Sequence, residues 1–350
     1  MKASTLNNNE PNAKKRPSLR QLNIGAYAES TPNAPSSTQD SSRANQATRA
    51  TASLRPLRPQ WEDKAQAWAQ PHAQAILNPQ LAIDALQTAV LCEIFSKNAE
   101  RFILKGGLAM RVNVGARRHT KDIDLDGDHD CPLDVMIDGL RRSLNSCGKK
   151  GLLEDFHHSE PKLTDTTLRF KVDGRLPESQ SIVHLTIEIS RRRFMPEQAE
   201  QVHLSPRFDG EPTGIRVYRK ETLMGLKASA FTDENRCAAR DLMDLALLVE
   251  AGIEPNLECL SVESADQLRA RKALVWPKID LINWALFQEH VLPHLDSEDR
   301  AAWNPERLDE ARLAVASTLE EAFEREIARR ERLCVISQRA PTAGAGCDFS

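Results

Sequence analysis

Three absences narrow the classes of protein to which this 350-residue chain can belong. None of its seven cysteines stands in a C-x-x-C pair, so neither a disulfide framework nor a structural zinc site is predicted, and we expect reduced thiols. No apolar run approaches the roughly 18 to 20 residues that span a bilayer. The first residues contain no apolar core of the kind that secretory signals have. These absences predict a cytoplasmic protein without a membrane-spanning segment.

Charge is unevenly distributed along the chain. Residues 1–60 contain nine lysines and arginines but only three acids, whereas the whole chain has a formal net charge of −3. The same residues are rich in Asn, Ser, Thr, Pro and Gln, a composition that buries too little apolar surface to offset the entropy of ordering. We therefore predict a disordered basic tail over residues 1–60. Three roles stay open for it: a nucleic-acid-binding arm, a segment that contacts the acidic body, and a plain leader.

Hydrophobic periodicity divides the rest of the chain into a mixed half and a helical half. The segments RFILK, KDIDLDGD, TTLRFKV and SIVHLTIEIS are predicted strands. Predicted helices begin at Asn78, as a cap before Pro79, and at Pro132, which opens a helix to about Asn145. Further helices are predicted in ETLMGLKASAF, in ARDLMDLALLV up to Gly252, at 278–292 and at about 307–333. The predicted domains are a mixed core at 61–218 and a mostly helical domain at 219–335, followed by a loose tail at 336–350.

Two aspartates in one predicted strand are the first candidate site. Asp122 and Asp124 are two residues apart, so in a strand their side chains project from the same face, while Ile123 and Leu125 face a core. Two ionised carboxylates this close repel each other unless a cation lies between them, and Mg²⁺ is the divalent ion that prefers oxygen ligands. Glu188 would be a third metal ligand if its strand neighbours that of the aspartates. The alternative is a solvated acidic turn, because DGDHD is also turn chemistry.

A glycine pair precedes the aspartates. Gly106 and Gly107 lie between a predicted strand and a helix start, where glycine lets the backbone approach a phosphate closely. Cations surround both features: Lys105, Arg111, Arg117, Arg118 and Lys121. A metal, phosphates and cations together are the equipment for nucleotidyl or phosphoryl transfer.

Four motifs in this order resemble those of the AbiEii/AbiGii toxin family, within the polymerase-β-like nucleotidyltransferase superfamily. FILKGGLAMRV resembles the family's Gly-Gly motif, and RHTKDIDL resembles its Arg-x-Ser/Thr-x-Asp-x-Asp motif. ETLMGLKASAF resembles the helix with the family's lysine, and ARDLMDLALLV resembles its Arg-Asp-x-x-Asp helix. The motifs cover about residues 100–252. The resemblance implies an α+β fold, in which a nucleotidyltransferase-type mixed sheet flanked by helices precedes a mostly helical C-terminal domain.

The resemblance also implies a role for each matched residue. The implied catalytic residues are Asp122, Asp124, Lys227 and Asp241, of which Lys227 would contact the triphosphate or help to activate the acceptor, and Asp241 would orient Lys227 or bind the nucleotide. The implied metal ligands are Asp122 and Asp124, with Glu188 as the third. The predicted nucleotide-binding residues are Gly106, Gly107, Arg111, Arg118, Thr120, Lys121 and Arg240. A lone lysine in the apolar segment LMGLKASAF should in any case have a partner, unless it reaches solvent from an amphipathic helix.

The predicted activity is Mg²⁺-dependent transfer of a nucleoside monophosphate from an NTP to an acceptor hydroxyl. One or two Mg²⁺ ions would act on the attacking hydroxyl and the leaving pyrophosphate. The resemblance implies the 3′ end of tRNA as the acceptor, and a toxin that a cognate antitoxin restrains within a phage-defence system. Two alternatives stay open: a metal-dependent glycosyltransferase that uses D-x-D, and a non-catalytic nucleotide-binding module with the same fold.

Overall fold

The structure is a computed structural model that describes residues 79–177, 180–205, 212–236, 238–260 and 263–339. The predicted basic tail at 1–60, the Asn78 cap and residues 340–350 lie outside the described residues. The predicted division into a core and a helical domain at 218/219 stays a prediction. The buried apolar residues on both sides of this boundary join in one continuous core.

A mixed eight-stranded sheet forms the first half of the structure. The strand order is β3-β5-β6-β2-β1-β8-β7, and the short β4 pairs with β5. β2 runs parallel to β6 and β1 runs parallel to β8, whereas the other pairs are antiparallel. The strands are β1 (Phe102–Lys105), β2 (Asp122–Gly127), β3 (Glu154–His158), β4 (Lys162–Leu163), β5 (Thr167–Arg175), β6 (Ile182–Ser190), β7 (Ala199–Leu204) and β8 (Thr213–Tyr218).

Helices flank this sheet and form the second half. They are α1 (Pro79–Asn98), α2 (Gly106–Ala109), α3 (Leu133–Lys149), α4 (Lys220–Phe231), α5 (Ala239–Glu250), α6 (Ala265–Leu281), α7 (Trp284–His290), α8 (Ser297–Ala302) and α9 (Pro305–Arg339). The helices α1 and α3 pack together, as do α6 and α9. This arrangement confirms the predicted fold class, a mixed sheet flanked by helices with a helical C-terminal region. Across the described ranges, no helix has both the length and the apolarity to cross a membrane.

Strict alternation explains the strands that the sequence predicts. In β5 and β6 every second residue is buried, and the buried set comprises Leu168, Phe170, Val172, Val183, Leu185, Ile187 and Ile189. One face of these strands therefore joins the core and the other is polar. The strands β3, β4, β7 and β8 were not predicted; β3, β4 and β7 are mostly exposed, so their sequences lack a clear apolar alternation.

The predicted helix at 278–292 is wrong in its bounds. Ser264 and Gln267 form a capping box that starts α6 at Ala265, and this helix ends at Leu281. Asn283 then caps α7 by accepting a hydrogen bond from the backbone N–H of Leu286. The helices predicted in the two motif segments are α4 and α5, and the one predicted at 307–333 lies within α9. Gly252, with φ +69°, follows the end of α5 as expected.

Candidate active site

The strand β2 places Asp122 and Asp124 on one side of the sheet. Ile123 and Leu125 between and after them are fully buried, so the two carboxylates share the opposite, polar face. The neighbouring strand β6 pairs in parallel with β2, and Glu188 is the direct register partner of Asp124. The condition set for Glu188 is therefore met, because its strand does adjoin that of the aspartates.

Like charges and burial act together on Asp124. Burial raises the pKa of this carboxyl to about 6, and the negative charges of Asp122 and Glu188 add to the rise, while Lys105 and Lys227 oppose it. A bound cation would remove this electrostatic cost. The two aspartates offer the oxygen donors that Mg²⁺ prefers, so these side chains fit the ion that the sequence predicts.

Glu188 is engaged elsewhere. Its Oε2 atom accepts hydrogen bonds from Nε and Nη2 of Arg169 on β5, at 3.0 and 2.5 Å. Among the described residues, no group of three or more His, Cys, Asp or Glu side chains is arranged to hold a metal ion. A third-ligand role for Glu188 therefore requires that it leave Arg169.

The glycine pair lies against the second aspartate. Gly106 has φ +69°, and a Cβ atom placed on it would be 2.2 Å from Oδ2 of Asp124. A Cβ atom on Gly107 would be 3.0 Å from Nη2 of Arg118 and 3.2 Å from Oγ1 of Thr120. Gly106 therefore excludes a side chain, and a side chain at Gly107 would require Arg118 or Thr120 to shift slightly.

The loop before β2 is held from two sides. The Gln87 side chain of α1 donates a hydrogen bond to the backbone carbonyl of Thr120, at 3.0 Å. The backbone N–H of His119 donates to the carbonyl of His294, at 2.8 Å, and thereby links the loop to the helical half. Lys121, the last residue before β2, is exposed.

A buried network of opposite charges joins the loop to the two motif helices. Lys227 of α4 lies 3.0 Å from Asp241 and 2.6 Å from Asp244, both on α5. Arg118 donates to both carboxylate oxygens of Asp244, at 3.1 and 3.0 Å. All four side chains are buried. Lys227 thus has acidic partners, as a lone lysine in an apolar helix should.

The network favours the charged forms of Lys227 and Asp244. Burial alone would lower the pKa of Lys227, but the charges of Asp244 and Asp241 outweigh burial and raise it. Burial would raise the pKa of Asp244, but Lys227 and Arg118 hold it below its usual value. The network also acts on the carboxylate site, because Lys227 opposes the rise in the pKa of Asp124.

Two predicted nucleotide-binding arginines lie apart from this arrangement. Arg111 forms an ion pair with Asp84 of α1, at 2.6 Å, and donates to the backbone carbonyl of Arg118. Arg240 is exposed, whereas Asp241 beside it is buried, so the two do not share one environment. Arg111 therefore braces the loop in this structure, and Arg240 stays available on the surface.

Sequence reasoning missed the partners of Asp126, the third aspartate of β2. Asp126 ends the polar side of β2, but its oxygens accept from Lys105, at 2.5 Å, and from the Tyr218 hydroxyl, at 2.8 Å. Asp126 is thus occupied by partners from β1 and β8 and does not extend the pair of aspartates. Sequence reasoning also missed that Asp244 contacts both Arg118 and Lys227, although an acid at the start of the apolar run DLALLV was a usable signal.

Comparison with known proteins identifies the family of the chain. A family model described as “Nucleotidyl transferase AbiEii toxin, Type IV TA system” matches residues 89–328. Because the match covers more than half of the chain, the chain belongs to the AbiEii family of nucleotidyltransferase toxins of type IV toxin–antitoxin systems. No curated protein matches the chain.

Two solved structures of Helicobacter pylori proteins are similar to the chain. JHP933 is 18% identical, with a TM-score of 0.42 over 76% of this chain and 99% of the other. A second protein, described as a candidate nucleotidyltransferase, is 20% identical, with a TM-score of 0.45 over 73% of this chain and 98% of the other.

Proposed function

We propose that this protein transfers a nucleoside monophosphate from an NTP to an acceptor hydroxyl at the 3′ end of a tRNA. We propose further that the reaction takes place in the cytoplasm and uses Mg²⁺. One observation carries the proposal. Asp122 and Asp124 share a face of β2, beside Glu188 and directly against the glycine that allows the backbone to approach them.

The reaction exchanges one P–O bond for another. The acceptor hydroxyl gives up its proton to solvent and its oxygen bonds to the α-phosphorus of the NTP, while the bond from that phosphorus to the oxygen that bridges to the β-phosphorus breaks and pyrophosphate leaves. Mg²⁺ held by Asp122 and Asp124 would supply charge stabilisation for the attacking and leaving oxygens. The chain itself contributes the position of the two carboxylates, which β2 fixes through its buried neighbours.

The remaining predicted residues would bind and orient the nucleotide. Gly106, Gly107 and Thr120 form a narrow surface on which phosphates would lie close to the backbone. Lys227, held by Asp241 and Asp244, would present a fixed positive charge beside the carboxylates. The exposed Lys121 and Arg240 would contact the outer phosphates.

The family assignment implies a nucleotide substrate and a cognate antitoxin. We propose that transfer to tRNA removes the molecule from translation, and that the resulting growth arrest acts in defence against phage. Expression of the wild-type chain should then stop growth, and Asp124→Asn should relieve the arrest.

Labelled nucleotide tests the activity directly. The full chain would be incubated with each of the four NTPs labelled at the α-phosphate, Mg²⁺ and total RNA, alongside Asp124→Asn and the surface control Asp134→Asn. We expect label in a tRNA-sized band with wild type and the control, and at least about 100-fold less with Asp124→Asn, because the metal site supplies several kcal/mol.

Other outcomes would identify the alternatives. Absence of transfer with all four NTPs would contradict the proposal, and NTP binding without transfer would favour a non-catalytic module. Transfer of a sugar from labelled UDP-sugars would favour the glycosyltransferase.

A further inference from the structure

The candidate active site opens onto a polar sheet face that carries exposed cations. Arg169 is the register partner of Glu188, and Lys162 of β4 is in turn the partner of Arg169. Lys171 pairs with Thr186, which is itself the partner of Asp122. Directly paired residues project from the same face, so the three cations continue the rows that begin at the two aspartates.

The rows are short enough for one ligand to span them. Neighbouring strands lie about 4.8 Å apart, so Lys162, three strands from Asp124, is about 14 Å from it. Arg169 and Lys171 are two residues apart along β5, or about 7 Å. Arg192, which follows β6, adds a fourth charge near the start of β5, because its Nε donates to the hydroxyl of Thr166 at 2.8 Å. This polar face, defined by Lys162, Arg169, Lys171 and Arg192, is therefore continuous with the carboxylates.

Two of the nearby acids are paired with other partners. Asp173 of β5 lies 2.5 Å from His184, and Glu160 forms an ion pair with Arg141. Within the described part of the chain, neither Lys162 nor Lys171 has an acidic side chain at ion-pair distance. The two lysines thus present uncompensated positive charge to solvent beside the site.

The ion pair of Arg169 and Glu188 is exposed enough for a phosphate to replace Glu188 as the partner of Arg169. Both side chains are partly exposed, at 51% and 37%, so the pair contributes little to stability. A phosphate offers the arginine fork the same bidentate geometry that a carboxylate does. A phosphate bound to Arg169 would replace Glu188, whose carboxylate would then be free to turn toward Asp124, its register neighbour.

We propose that this polar face binds the phosphodiester backbone of the acceptor, as single-stranded RNA at the 3′ end, and that Arg169 exchanges Glu188 for an acceptor phosphate. The inference rests on the proposed function, because that function requires an acceptor to reach Asp122 and Asp124. The occupant is a polyanion because the face presents cations in rows that lead to the carboxylates. Acceptor binding would thereby complete the set of metal ligands.

Binding and transfer with three variants test the inference. The variants are the double substitution Lys162→Gln/Lys171→Gln, Arg169→Gln, and the control Arg325→Gln, whose arginine is likewise half exposed, at 56%, and paired with a glutamate. Fluorescence anisotropy would measure the Kd for 5′-labelled tRNA at several salt concentrations, with the Kd for NTP measured in parallel.

We expect the double variant to bind tRNA about tenfold more weakly at low salt and to lower the slope of log Kd against log salt by roughly 1.4, since each lost phosphate contact on a single strand removes about 0.7. The Kd for NTP should stay at the wild-type value. In the control Arg325→Gln, the Kd values for tRNA and for NTP should both stay at the wild-type value. Arg169→Gln should weaken tRNA binding but keep transfer at saturating tRNA, because Glu188 is then free of its arginine without any exchange.

The inference would be overturned by a double variant with the wild-type tRNA Kd and salt slope, or by label that enters protein rather than RNA. The proposed function fails separately. If wild type binds tRNA through these lysines but transfers no nucleotide, the binding face stands and the activity does not; if wild type does not bind tRNA, the face itself is refuted.

Discussion

Replacing Asp244 with asparagine removes the one carboxylate that contacts both Arg118 and Lys227. The change keeps the size of the side chain, so it tests charge rather than packing. Arg118 would lose its bidentate partner and keep a long hydrogen bond to the His119 carbonyl, at 3.5 Å. Lys227 would keep Asp241, at 3.0 Å.

The magnitude follows from burial. Removing one partner of a buried ion pair costs about 3 to 5 kcal/mol, because an uncompensated charge stays inside the protein. The amide oxygen of asparagine can still accept one hydrogen bond, so we expect the lower end, a loss of about 3 kcal/mol in the free energy of unfolding. The control is Asp309→Asn, which breaks an ion pair with Arg312 at a side chain that is 65% exposed. An exposed pair contributes about 0 to 1 kcal/mol.

Urea unfolding, followed by circular dichroism, would measure both variants against wild type. A loss for Asp244→Asn within about 1 kcal/mol of the control would refute the reasoning, since it would mean that Arg118 is not buried with an essential partner. A double-mutant cycle with Arg118→Met adds a second check. The double variant should cost less than the sum of the single variants by at least about 1 kcal/mol, because the two side chains share one interaction.

Three further predictions concern other parts of the fold. Gly106→Ala should abolish transfer, because a methyl group would lie 2.2 Å from Oδ2 of Asp124; transfer at the wild-type rate would contradict this placement. Gly225→Ala should lower the free energy of unfolding by at least about 2 kcal/mol, because its Cβ would lie 2.2 Å from the carbonyl of Asn256; a smaller loss in urea unfolding would show that the helix can shift. Two lysines hold the pKa of Glu93 at about 2, below its usual 4.5. Glu93→Gln should therefore lower the free energy of unfolding by about 1 kcal/mol above pH 4.5, after allowance for the exposed lysines. This difference from wild type should vanish as the pH falls through 2, because Glu93 is then protonated in both the folded and the unfolded chain. A difference that persists at lower pH would exclude the ion pairs as its cause.

Alternation of buried and polar residues was enough to predict β2 and β6, and with them the face that carries Asp122, Asp124 and Glu188. Local pattern could not predict which strands are neighbours. The pairing of β2 with β6 joins segments some 60 residues apart, and it is this pairing that places Glu188 beside Asp124. The predicted role of Glu188 as a third metal ligand therefore had to be conditional on its strand lying beside that of the aspartates.

Ion pairs between distant elements were the least predictable part of the site. Arg169 pairs with Glu188, and Lys105 and Tyr218 donate hydrogen bonds to Asp126; both sets of contacts depend on strand register. No spacing within one segment encodes such a partner. The lone acids of apolar helices gave a partial signal, since Asp244 must have a cation once its helix is buried.

The central claim is that Asp122 and Asp124 support transfer of the α-phosphoryl group with its nucleoside. The most direct measurement supplies purified tRNA with an NTP labelled either at the α-phosphate or at the γ-phosphate. We expect the α label to enter tRNA, the γ label to leave as pyrophosphate in equal amount, and Asp124→Asn to lose both. Entry of the γ label into tRNA, or full transfer by Asp124→Asn, would contradict this role of the two aspartates.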